Sequence, residues 1–322
     1  MGRIAGNLRA NMGCTVREVQ ASWVHTMGWL DKLLSKGTEG TPEEKPGKNT
    51  EPIEPEGVDS PVPVSTEPED TEEASPYVST GEEEGPPPQE DPFLKALERH
   101  GEDMAGALKE VCRRMEYNDE AEVRLAFVKY SYKISDEGFE RLAEMESLEI
   151  LDVTDTAITD VGMKHLSTLP KLLDLIVDVT EVGDDGLAFL AEKHALRRLS
   201  LAATKVSDVG LKHLANLKQL ESLSLSGTNI TQRGLIHLQG LTNLKFLDLS
   251  ENEIRDDGLQ YLHDMSKLEF ISLNDTRVSD KGIKHLNAFG ELRFFNVKRT
   301  FVTEEQIARL IEFMPDCKFN MD

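Results

Sequence analysis

The 322-residue chain carries 59 acidic against 36 basic side chains, and a net charge of −23 repels phosphate backbones, which argues against a nucleic-acid-binding surface. Its three cysteines, Cys14, Cys112 and Cys317, are odd in number and far apart, so neither a disulfide framework nor a zinc site is indicated and a reducing, cytoplasmic setting is expected. No stretch reads as a transmembrane span or a secretory signal.

The head, residues 1–36, holds five basic and two acidic residues and both tryptophans of the chain. Val16, Trp23, Met27, Leu30 and Leu34 follow a three-four spacing that predicts an amphipathic helix, with Arg17, Glu18, His25, Asp31 and Lys32 on its polar side. Trp23, Met27, Leu30 and Leu34 are the candidate docking residues. Three roles compete for residues 14–36: docking to a partner or to itself, peripheral attachment to a membrane surface, and a dispensable tail. Gly2 suggests myristoylation only loosely, because Gly6 stands where Ser or Thr is wanted.

Residues 37–92 hold seventeen acidic and two basic residues, twelve of the fourteen prolines and one aromatic, Tyr77. Such a segment cannot bury enough surface to offset ordering, which predicts a disordered acidic tether, either an inert spacer or a docking site for a basic partner. A cap is expected over 93–133. Phe93, Leu97, Met104, Leu108, Val111 and Met115 predict one or two helices, and Val123, Leu125 and Phe127 a first strand.

Across 134–303, seven glycines stand 24 residues apart: Gly138, Gly162, Gly186, Gly210, Gly234, Gly258 and Gly282. Counting from each glycine as zero, position four is always leucine and position one always apolar, a stripe at helical spacing. Ser135, Thr159, Ser207, Thr231, Ser279 and Thr303 stand at N-cap places, and Asp136, Asp160, Asp208 and Asp280 follow where a helix dipole favours acid. Each copy is therefore expected to open a helix of roughly two to three turns. Positions thirteen and fifteen, as in Leu223 and Leu225, alternate like a strand burying one face. Threonine recurs at eighteen, with Asn252 in one place, and is expected to bond the turn of the neighbouring copy. One copy cannot bury its own core, so the stack needs caps. The second cap, 304–322, reads as a helix from Glu304 to Met314, a stop at Pro315 and a strand over Cys317-Lys318-Phe319.

These copies resemble the leucine-rich repeat family in its L-x-x-L-x-L-x-x-T-x-I-x-D-x-G-L form, a 24-residue type similar to planctomycete, other bacterial and F-box-associated repeats. Departures are small: Gly183 replaces a capping hydroxyl, Gln232 an aspartate, and Lys193 interrupts position seven. The resemblance implies an α/β fold, a right-handed horseshoe solenoid with a concave parallel sheet and convex helices.

Positions twelve, fourteen and sixteen are expected on the inner face, away from the strand leucines. There Phe246, Phe270 and Phe294 fall on adjacent strands and predict an exposed aromatic ladder, with Asp248, Ser272 and Asn296 beside it. Asp152, Asp174 and Asp178 make the other end acidic and suit a basic counterpart. His165, His213, His237 and His285 share position three, but no acid recurs at a fixed offset, so no metal is expected, nor any cofactor. No nucleophile elbow, P-loop or H-E-x-x-H pattern occurs, and carboxylates without a closed pocket are expected to keep ordinary pKa values. The reading is a non-enzymatic protein-binding scaffold, tethered through its head. The alternatives are a substrate-recognition subunit of a ubiquitin ligase, which lacks the required L-P-x-E-type box here, and a peripheral membrane-anchored adaptor.

Overall fold

A computed structural model of the chain describes residues 90–101, 103–128, 134–286 and 289–321. The expected head helix, its docking residues Trp23, Met27, Leu30 and Leu34, and the expected tether to residue 89 lie outside the described residues.

The first described helix, α1 (Pro92–His100), starts at Asp91, whose carboxylate accepts from the Phe93 and Leu94 amides. Pro92 stands in the first turn, where a missing N–H costs nothing. With α2 (Met104–Val111) it buries Phe93, Ala96, Ala107 and Leu108 at the end of the core. Next comes an antiparallel hairpin of β1 (Cys112–Tyr117) and β2 (Val123–Val128). Asn118 closes it, its Oδ1 accepting from the Glu120 and Glu122 amides at 3.0 and 2.9 Å. Met115, expected in a helix, therefore lies in a strand. Arg113, Arg114 and Glu116 mask the alternation because β1 is an edge strand, and charge there blunts further pairing.

From β2 onward every neighbour is parallel, and ten strands form one sheet in sequence order. The strands are β3 (Ile150–Asp152), β4 (Asp174–Ile176), β5 (Arg198–Ser200), β6 (Ser222–Ser224), β7 (Phe246–Asp248), β8 (Phe270–Ser272), β9 (Phe294–Asn296) and β10 (Lys318–Asn320). The unbroken 24-residue step keeps them in register, so Leu175, Leu199, Leu223 and Leu247 stand side by side. One copy shows how the core is made. Leu211, Leu214, Leu217, Leu220, Leu223, Leu225 and Ile230 are all buried. At the far end α8 (Glu304–Phe313) is capped by Thr303, and Phe319 of β10 meets Phe295 edge-on at 6.0 Å.

The segments between strands are tighter than expected. Ahead of β3, α3 (Asp136–Leu142) keeps seven α-helical residues, but α4 (Asp160–Met163), α5 (Asp184–Leu187), α6 (Asp208–Leu211) and α7 (Asp280–Ile283) each last four before turning 3₁₀. Gly234–Leu238 and Asp256–Leu262 are 3₁₀ throughout. Strands repeat at roughly 4.8 Å while packed α-helices want about 8–10 Å, so a narrower helix eases the mismatch between the two sides of the stack.

The aspartate after each cap does more than face a dipole: it reaches the next copy. Asp136 accepts from the Thr159 and Gly162 amides at 2.8 and 2.9 Å and from Thr159 Oγ1 at 2.7 Å. Asp184 repeats this with Ser207 and Gly210. A Cβ on Gly162 would lie 2.5 Å from Asp136 Oδ1, which is why the period is marked by glycine. At one junction the lock is missing on both sides, with Gln232 for the acid and Arg255 for the hydroxyl.

Two other details depart from expectation. Thr156, Thr180, Thr204, Thr276 and Thr300 donate to the position-fifteen carbonyl of their own copy, each at 2.6 Å, not to a neighbour. Asn252 crosses over, donating to Leu225 O at 2.7 Å, and Thr228 Oγ1 contacts both its own Leu225 O at 2.9 Å and Asn252 Oδ1 of the next copy at 3.0 Å. Position seventeen has a left-handed backbone in every copy, from Asp155 (φ 56°) to Arg299 (φ 52°), although glycine fills it only at Gly227.

Candidate functional site

Strand register gathers the candidate residues on one surface, the inner face of the sheet opposite the leucine core. Phe246, Phe270 and Phe294 are direct neighbours on β7, β8 and β9. Their rings stack, with centroids 4.4 Å apart at 18° and then 5.1 Å apart at 2°. The ladder is less exposed than expected. Phe246 is buried at 2 % exposure, and Phe270 and Phe294 are half-buried. Ser272 is buried, while Asp248 and Asn296 on the same row are half-buried.

The acidic end is largely neutralised from within. Asp152 forms an ion pair with Arg113 of β1 and accepts from the Thr154 amide and hydroxyl at 3.0 and 2.6 Å. Asp174 pairs with Arg198 on the next strand. Arg113 was missed in the sequence because the strand carrying it was missed.

Asp178 differs. Its Oδ1 accepts from Ser200 Oγ at 2.5 Å and from the Ala202 amide at 2.8 Å. Burial pushes its carboxyl up to about 7; the two hydrogen bonds pull it down, and the charges of Asp152 and Asp248 push it further up. Burial also raises Asp248, against the pull of its bonds to Ser250. The expectation of ordinary pKa values on this face is therefore corrected, because desolvation acts on a sheet surface whose short side chains are recessed. No lysine or arginine pairs with Asp178 or Asp248 among the described residues.

Between these acids lies β6, whose inward residues Ser222 and Ser224 are both serine, with Ser226 in the turn that follows. In register, Ser222 stands between Arg198 and Phe246, and Ser224 between Ser200 and Asp248. The Ser222 and Ser224 hydroxyls are buried and make no hydrogen bond among the described residues. The S-L-S-L-S run was the available signal, but its depth depends on taller neighbours 24 residues away on either side.

Other candidates stay dispersed. His165 lies 3.8 Å from Glu140, and no group of His, Cys, Asp or Glu that could hold a metal occurs among the described residues. Burial pushes the Cys317 thiol up to about 11. A shallow hollow of about 450 Å³ lies on the loops at Arg255, Asp256, Asp257, Arg277 and Phe301. No described helix is long and apolar enough to cross a membrane.

Comparison with known proteins agrees with this geometry. Two family models match, both described as leucine-rich repeats, over residues 194–254 and 144–167. Curated protein sequences give no match. Among solved structures, internalin C2 from Listeria monocytogenes is similar in fold, with a TM-score of 0.50 and 24 % identity over 62 % of this chain and 81 % of its own. A leucine-rich-repeat protein of Leptospira interrogans aligns at a TM-score of 0.44 and 16 % identity, covering 56 % of this chain and 51 % of its own. Domains of this type generally mediate protein–protein interaction. The in-phase copies, the single mostly parallel sheet and the two matching models support a leucine-rich repeat family for this chain.

Proposed function

We propose that the chain is a non-enzymatic recognition scaffold that receives a protein partner on the inner face of its sheet. The observation that carries this reading is the three-ring stack of Phe246, Phe270 and Phe294, which sets large planar apolar surface on a rigid sheet beside the polar groups of Asp248, Ser272 and Asn296. Stacked aromatics of this kind are the usual anchors of protein interfaces. Phe294 and Asn296 remain partly exposed at the end of the ladder, where a partner side chain can reach them.

Attachment elsewhere in the cell through residues 14–36, with Trp23, Met27, Leu30 and Leu34 as contacts, is proposed on the sequence alone, as is a cytoplasmic location. No observation favours the ubiquitin-ligase alternative, since the described helices ahead of the repeats are only nine and eight residues long.

A photo-crosslinking residue at position 294 of the full chain tests the inner-face reading. It should join one recurrent protein in cells, and Phe270→Ser should abolish that product. Adducts that stay unchanged in Phe270→Ser, with the repeats still folded, would remove the aromatic ladder from the interface.

A further inference from the structure

We propose that the stack is divided into two cooperative units at the plane between β6 and β7, and that residues 246–321 unfold together while residues 90–245 stay folded. In a linear stack, stability is close to a sum of copy terms and nearest-neighbour terms. A cooperative unit therefore ends where the coupling between neighbours is weakest. Three observations place that weakness here.

The aspartate lock is the first. Asp91, Asp136, Asp160, Asp184, Asp208, Asp256 and Asp280 each accept from the backbone amide of Ser135, Thr159, Gly183, Ser207, Thr231, Ser279 and Thr303 in turn. Only the plane between β6 and β7 lacks this bond among the described residues, because Gln232 and Arg255 stand in both places.

The inner face offers no replacement. Ser222 and Ser224 lie opposite Phe246 and Asp248, yet both hydroxyls are buried with no hydrogen-bond partner. Buried polar groups left unpaired disfavour the packed state, and water pairs them once the plane opens. On the other side of β7 the sheet is tied twice over, by the Phe246–Phe270 stack and by the Ser250–Ser272 hydroxyl pair at 2.7 Å.

The outer layer is altered on both sides of the same plane. Gly234–Leu238 and Asp256–Leu262 hold no α-helical turn, whereas α6 before them and α7 after them each begin with one, capped by Ser207 and Ser279.

What crosses the plane besides the leucines is modest. Asn252 reaches Leu225 O, and Lys245 pairs with Glu221 at 2.7 Å in a partly exposed contact that contributes little. Lys218 and Asn243 add exposed bonds to backbone oxygens. All three rings of the aromatic ladder belong to the C-terminal unit, so the surface proposed for the partner sits on the part that unfolds first.

Pulsed hydrogen exchange of the full chain across a urea series tests the division. Peptides from β7, β8 and β9 should lose protection at one shared midpoint, below the midpoint shared by β3, β4 and β5. Gln232→Asp combined with Arg255→Thr rebuilds the lock. At the parent's first midpoint it should lower the unfolded-to-folded ratio of the C-terminal unit about tenfold or more, the scale of hydrogen bonds to a charged group. The β3–β5 midpoint should stay in place. Asn252→Thr, which restores the residue most copies hold and removes the crossing bond, should lower the first midpoint alone and decides the matter if the paired variant fails to fold. One midpoint for all strands overturns the division. So does a midpoint that climbs strand by strand from β10 inward, or a step between β6 and β7 that neither variant moves.

Discussion

Asp91 holds Ser135 by two contacts, accepting from its backbone amide and from its hydroxyl, each at 2.6 Å. Every later hydroxyl of this kind is held by the aspartate of the copy before it, as Thr159 is by Asp136. The first copy has no predecessor, so the N-cap residue of α1 supplies the missing carboxylate. A repeat edge is thus imitated by a single side chain, which ties the cap to the stack. Asp91→Ala orphans these donors along with the start of α1 and should cost about 1–3 kcal/mol. Hydrogen exchange checks it: amides of 135–142 should exchange faster while those of 234–262 stay as they were. Uniform acceleration would mean that the cap holds the whole stack cooperatively.

The same lock makes a prediction for the glycine period. A methyl on Gly210 would stand 2.4 Å from Asp184 Oδ1 and 3.2 Å from the Asp184 Cα, so Gly210→Ala must displace the carboxylate that caps Ser207. A loss of about 1–3 kcal/mol is expected from overpacking. Asp184→Ala alone loses the caps, and the double variant should lose less than the sum, because the clash and the lock are one interaction. Additive urea midpoints would show that the glycine serves something else.

Position seventeen allows a gain. Val179 holds φ at 57°, a region that β-branched side chains strongly disfavour, while Gly227 takes the same conformation freely at φ 63°. Val179→Gly should stabilise the domain by up to about 1 kcal/mol, and Gly227→Ala should destabilise it by a similar amount. Thermal midpoints moving in opposite directions would bear this out; a drop in both would mean that the Val179 side chain contributes more by packing than its backbone costs.

These three cases also mark what the sequence made legible. Period, strand leucines and the closing helix could be read because each depends on residues near one another in the chain. The reach of Asp136 to Thr159 could not, because an acid at a helix start has a sufficient local explanation in the dipole. Nor could the left-handed turn, since six of its seven occupants are not glycine. On the inner face the rows were placed correctly by alternation, but their depth was not. Burial of Phe246 and of the β6 serines depends on the heights of neighbours across the sheet. The ion pair that occupies Asp152 comes from β1, whose Arg113-Arg114 start carries no alternation to read.

Asp178 links that hidden depth to a pH dependence. Its carboxyl, raised to about 7 chiefly by burial, keeps a proton in the folded chain that the unfolded chain releases at about 3.9. Stability from this group is therefore fully present below about pH 4 and is lost as pH rises towards 7, because only the folded state binds the proton in that window. Asp248, raised by burial as well, tilts stability the same way. Asp178→Asn removes the titration while its amide oxygen can still accept from Ser200 and Ala202. Urea midpoints measured at pH 3, 5, 7 and 8 should show the variant level with the parent at pH 3, above it by pH 5, and further above it at pH 7, with little further change at pH 8. A parent–variant difference that does not change with pH would mean that Asp178 ionises as an ordinary carboxylate.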